Sequence, residues 1–133
     1  MRPVVGQPGA VTWTTTTLRD ALRADLVVAL RARDRTVATA LRTTIAAIDN
    51  AEALPTDDVA PPTSGPVAGA VAGLGATEAV RRELSPNDLA VLLTTQVAER
   101  RAAADEVERH GRDADAARLR READVVAAYR DRA

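Results

Sequence analysis

The chain has 133 residues, 46% hydrophobic and 28% charged, which fits one globular domain with a single core rather than a disordered chain. Zero cysteines exclude disulfides, thiolate nucleophiles and cysteine metal sites. A formal net charge of −1 excludes a global basic field that would attract nucleic acid, although all 18 basic residues are arginines and local patches remain open. With only 2% aromatic residues, the core must be built from Leu, Val, Ile and many alanines, and that favours thin helices in close contact.

Residues 1–16 read as an N-terminal extension carrying Gly6, Pro8, Gly9 and the start of the threonine run Thr14 to Thr17. It lacks the apolar segment of a signal peptide, and no apolar run in the chain approaches the roughly 18 residues of a membrane span. A cytoplasmic location and no membrane partner are the resulting expectations. Trp13 is the one large side chain of the extension, expected to lie against the bundle or to be left exposed.

A first helix is predicted from Thr17, which can cap with Asp20 three residues on. Leu18, Leu22, Leu26, Ala29 and Leu30 recur at spacings of three and four, and the helix should stop near Arg33. Asp34 is placed to cap a second helix, whose stripe is Val37, Leu41, Thr44, Ile45 and Ile48 and which should run to about Ala53. These two helices form a hairpin over residues 17–53. Residues 54–84 are a Gly/Pro-rich tether, with Pro55, Pro61, Pro62, Gly65, Pro66, Gly69, Gly73 and Gly75, and a short helical turn is expected near 77–84.

A strong helix start follows, with Ser85 as N-cap, Pro86 at the first helical position and Asp88 at the third. This helix should run from 86 to about 109 on Leu89, Leu92, Leu93, Gln96, Val97, Ala103, Ala104 and Val107. His110-Gly111 ends it, Gly111 supplying the left-handed cap. Asp113 is expected to cap a fourth helix with Leu119, Ala123, Val126 and Tyr129 on its buried stripe, which completes a second hairpin over 85–130. The fold predicted is all-α: two amphipathic hairpins, four main helices, packed as a small bundle over 17–130.

Two segments carry a family pattern. One is Leu30-Arg31-Ala32-Arg33-Asp34, then Leu41-Arg42, then Ile45-Ala46-Ala47-Ile48-Asp49-Asn50-Ala51-Glu52. The other is Glu83-Leu84-Ser85, then Glu99-Arg100-Arg101 with Ala104, then Arg109-His110-Gly111-Arg112, and finally Ala123 to Tyr129. Together they resemble the N-terminal helical half of the YqeY-like family. The resemblance implies an all-helical domain akin to the tail of the B subunit of aspartyl/glutamyl-tRNA amidotransferase, which helps hold transfer RNA. The carbon–nitrogen ligase activity attached to the family, with glutamine as amido donor, is implied by that kinship. Family members usually continue after the Tyr into Leu-Pro and a second helical domain, where this chain reads Tyr129-Arg130-Asp131-Arg132-Ala133.

The residues themselves offer little chemistry. His110, the one histidine, suits a helix C-terminus better than catalysis, since a lone base needs an orienting partner. Asp105, Glu106, Glu108, Asp113 and Asp115 alternate with arginines and read as a screened surface. The glycines at 69, 73 and 75 lack the strand–turn–helix context of a phosphate cradle. No catalytic, metal or cofactor residues are assigned, and no cofactor is expected.

The arginines are the candidate contacts. Arg31, Arg33 and Arg35 cluster at the first hairpin turn, and Arg100, Arg101, Arg118 and Arg121 lie along the second hairpin. Their fork-shaped donors suit phosphates, or else form ion pairs within the chain. Arg42, beside the core stripe, is read as a structural hydrogen-bonding residue. The expectation is a non-catalytic accessory or adaptor domain that contacts transfer RNA or a protein of that pathway. The alternative is a helical protein-interaction or self-associating module with no transfer-RNA role.

Overall fold

A computed structural model describes residues 11–53 and 82–132, and within them the fold is all-α. Four helices follow in order, α1 Thr15–Arg31, α2 Arg35–Ala53, α3 Pro86–Arg109 and α4 Asp113–Arg132. Most of the tether, with its glycines and residues 77–81 of the turn expected at 77–84, lies outside the described residues. Residues 82–85 are not helical.

The start of α1 differs from the sequence reading. Thr14, not Thr17, is the N-cap. The Thr17 amide donates to Thr14 Oγ1 at 3.1 Å and the Thr14 amide donates to Thr17 Oγ1 at 2.9 Å, which makes the capping box an all-threonine one. Thr15 and Thr16 therefore belong to the helix rather than to an extension. Trp13 fixes this register. Its ring is buried at 7% exposure, its indole N–H donates to the Tyr129 carbonyl at 2.9 Å, and it packs tilted against the Tyr129 ring. Next to it, the Val11 amide donates to the Arg132 carbonyl at 2.6 Å. The segment entering α1 is thus tied to the end of α4.

The start of α3 follows the sequence. Ser85 caps, Pro86 opens, and Ser85 and Asp88 bond reciprocally at 3.0 and 2.9 Å. Those bonds from Ser85, its backbone amide first, hold the Asp88 carboxyl below its usual range. Arg112 rather than Asp113 stands at the cap position of α4, because its carbonyl accepts the first helical bond, from the Ala116 amide at 3.1 Å.

The two hairpins use the same turn. After α3, Gly111 takes φ 79°, its amide donates to Glu108 O at 2.9 Å and the Arg112 amide donates to Val107 O at 3.0 Å. After α1, Arg33 takes φ 58°, its amide donates to Leu30 O at 3.1 Å and the Asp34 amide donates to Ala29 O at 2.9 Å. Both are Schellman caps, in which one residue must enter the left-handed region that favours glycine. The first turn places an arginine there.

The core lies between the hairpins. Leu18, Leu22 and Ala29 of α1, Leu41 and Ile48 of α2, Leu89, Leu93 and Val97 of α3, and Ala123, Val126 and Tyr129 of α4 are buried together. The most extensive contact is between α3 and α4, α1 packs on α2, and α2 meets both helices of the second hairpin. Arg19 braces the first hairpin, bonding Asp49 at 2.7 Å and Glu52 at 2.6 Å. Leu30, expected on the buried stripe, is 47% exposed, since the turn begins there.

Candidate anion-contact surface at the first hairpin turn

The Schellman turn reverses the chain within three residues, Ala32 to Asp34, so Arg31, Arg33 and Arg35 project from one end of the hairpin. All three are exposed. Arg42 lies seven residues beyond Arg35, which is two helical turns, and so shares its face of α2. Arg33, Arg35 and Arg42 border an open groove of about 600 Å³ whose floor includes Ala29, Ala38 and Thr39.

Among the described residues, none of Arg31, Arg33, Arg35 and Arg42 forms an ion pair or a side-chain hydrogen bond. Among the described residues Arg42 thus makes no side-chain hydrogen bond, unlike the structural role its place beside the core stripe suggested. It is an exposed cation on the groove rim. The one carboxylate in the groove, Asp34, is already engaged. Its Oδ1 accepts from the Val37 amide at 3.1 Å and its Oδ2 accepts from Arg121 at 2.7 Å. The Val37 amide first, then the Arg121 guanidinium, hold its carboxyl below the usual range. With Asp34 neutralised by Arg121, the four arginines leave a local excess of positive charge on a chain whose net charge is −1.

The second hairpin is the opposite case. Arg118 faces Asp115 at 3.2 Å and Glu122 at 3.6 Å, Arg101 approaches Asp124 at 3.7 Å, and Arg121 is spent on Asp34. Arg120 bridges Asp105 at 2.7 Å and Glu108 at 2.9 Å, and Arg112 holds Asp115 at 2.5 Å. Arg118, followed by Arg112, holds the Asp115 carboxyl low. Asp105, Glu106, Glu108 and Asp115 of the acidic cluster near the end of α3 are thus ion-paired. His110 caps α3, its Nδ1 lying 3.0 Å from the Glu106 carbonyl.

Arg100 does not belong to any surface. It is buried, its Nε lies 3.4 Å from Glu122 Oε1, and its Nη1 donates to Gln96 Oε1 at 2.9 Å and to the Gln96 carbonyl at 3.1 Å. Its Nη2 donates to Thr43 Oγ1 on α2. The reading of Arg100 as an RNA or partner contact is corrected. It is an interior cation joining α2, α3 and α4, with buried Glu122 as counter-ion.

The structure therefore brings together three of the seven candidate arginines, adds Arg42, ion-pairs three others and removes Arg100. The signal that could have found Arg42 was its seven-residue spacing from Arg35 on one face. Among the described residues no group of His, Asp or Glu is arranged to hold a metal ion, and no helix is long and apolar enough to cross a membrane. Comparison with protein families, with curated proteins and with solved structures finds no match to this chain.

Proposed function

We propose that the chain is a non-catalytic accessory module that contacts a polyanion through the first hairpin turn, with transfer RNA as the partner the YqeY-like resemblance implies. The observation that carries the reading is the contrast between hairpins. Arg31, Arg33, Arg35 and Arg42 lack any carboxylate partner among the described residues, whereas the candidate arginines of the second hairpin are ion-paired or buried. Unpaired guanidinium groups, three of which border one groove, are free to take phosphate oxygens in their bidentate geometry. In this reading any carbon–nitrogen ligation belongs to partner machinery, and the chain supplies contact and orientation. The scarcity of exposed aromatic rings favours backbone phosphates over stacked bases as the target.

The test is fluorescence anisotropy of labelled bulk transfer RNA titrated with the protein at low and near-physiological salt. Four phosphate contacts give an affinity loss on the order of 10²-fold between 50 and 200 mM salt. Absence of binding at low salt would refute the proposal.

A further inference from the structure

The solvent face of α1 is built in an unusual way. Leu18, Leu22 and Ala29 mark its buried side. At roughly 100° per residue, the positions directly opposite are Asp20, Ala24, Val27 and Arg31. All four are exposed, and Val27 and its neighbour Val28 are 45% and 63% accessible. A helix facing only water should carry polar side chains there. Here the centre of the solvent face is apolar and its two ends are charged.

The spacing is four, three and four, which is the seam spacing of a helix that packs against another helix. The order along the seam is self-complementary when read in opposite directions. An antiparallel second α1 sets Asp20 against Arg31 of the partner and Ala24 against Val27 of the partner, and each match occurs twice about the two-fold axis. A parallel pair would instead set Asp20 against Asp20 and Arg31 against Arg31. Asp20 and Arg31 make no ion pair or side-chain hydrogen bond within the chain among the described residues, so both are available.

We propose that this face of α1 is the docking surface for a second copy of the chain, packed antiparallel with Ala24 and Val27 at its centre and Asp20–Arg31 pairs at its ends. Charge complementarity and the alternation of a small with a bulky residue single out a second copy as the occupant. The seam is about 16 Å long, short against the roughly 800 Å² per partner of a standard interface. The dimer is accordingly weak, with a dissociation constant on the order of 10–100 μM. Arg31 is common to the seam and to the arginines proposed for the polyanion, whereas Arg33, Arg35 and Arg42 border the groove outside the seam and stay open in the dimer.

Sedimentation equilibrium of the full chain up to about 1 mM tests this. The wild type should dimerise, and Val27→Arg, which puts like charges at the centre, should leave a monomer. Asp20→Arg and Arg31→Asp should each weaken self-association by at least about 10-fold. Mixing D20R with R31D should restore a dimer, because only the mixed pair recovers both opposite-charge contacts. Trp13 fluorescence checks that each variant keeps the native fold. A wild type that stays monomeric at 1 mM would overturn the proposal, as would a dimer untouched by V27R. Single variants that lose the dimer and do not regain it on mixing would overturn the antiparallel pairing.

Discussion

Arg33→Gly should stabilise this protein, although it removes a charged side chain and adds a glycine. Arg33 sits at φ 58° at the cap of α1, where a side chain costs about 1–2 kcal/mol relative to glycine. Glycine gives back about 0.4–1 kcal/mol of that through the greater freedom of the unfolded chain. The net expectation is a gain of about 0.5–1 kcal/mol, or about 2–4 °C in melting temperature for a chain of this size. The second hairpin supplies the mirror experiment. Gly111 occupies the equivalent position at φ 79°, and a Cβ added there meets nothing within 4 Å. Gly111→Ala should therefore cost about 1 kcal/mol by backbone conformation alone. Thermal and urea unfolding followed by circular dichroism measure both, and the double variant should sum to within about 0.5 kcal/mol because the turns are distant. A destabilised R33G, or a G111A as stable as wild type, would refute the claim that the two turns are equivalent. If R33G gains stability and loses transfer-RNA affinity, the strained arginine is kept for contact rather than for folding.

Arg100→Ala should lose about 3 kcal/mol by leaving buried Glu122 with only the more exposed Arg118, 3.6 Å away, whereas the joint replacement of Arg100 by Met and Glu122 by Leu should be close to neutral in urea unfolding. Trp13→Ala should cost about 3 kcal/mol by emptying a buried ring position and releasing the segment tied to α4, seen as a lower unfolding midpoint. Burial first, and then Asp25, raise the Tyr129 phenol above its ordinary range. A raised folded pKa means that this contribution is complete below about pH 10 and is lost as pH climbs further. Tyr129→Phe should flatten that alkaline limb of the stability curve. The Asp34 and Asp88 carboxyls are held low, so their contribution is complete above about pH 5 and disappears as pH falls through their folded values. Melting temperature measured from pH 6 down to 3 should fall less steeply in an Asp34→Asn, Asp88→Asn variant than in the wild type.

The helices were legible because each carries a three-four stripe, and two of their boundaries carry punctuation that competes with nothing. Ser85-Pro86 and His110-Gly111 each admit one boundary, and the structure uses it. The start of α1 was ambiguous for a physical reason. Any member of the run Thr14 to Thr17 can cap locally, and the choice is made by Trp13 reaching the carbonyl of Tyr129, 116 residues away in sequence. Arg100 shows the same limit from the other side. Its place between Val97 and Ala104 continues the core stripe of α3, and Glu122 stands beside Ala123 on α4. The charge of Arg100 suggested a surface, but Glu122 at an interior position of the neighbouring helix supplies a counter-ion 3.4 Å away, with Arg100 Nε left without a hydrogen-bond partner. Which exposed arginines are paired depends on where another helix brings its carboxylates. Arg121 meets Asp34 across 87 residues, and no local spacing announces it.

The polyanion surface proposed above lies at the first hairpin turn and nowhere along the second hairpin. The most direct measurement is transfer-RNA anisotropy, at one low salt concentration, on two triple variants of equal charge change. One carries Arg33→Ala, Arg35→Ala and Arg42→Ala, and the other Arg101→Ala, Arg112→Ala and Arg118→Ala. The first should lose affinity by about 10²-fold or more and show a salt slope smaller by about 2–3, while the second stays within a few-fold of wild type. Equal losses in the two variants, or a larger loss in the second, would contradict the account.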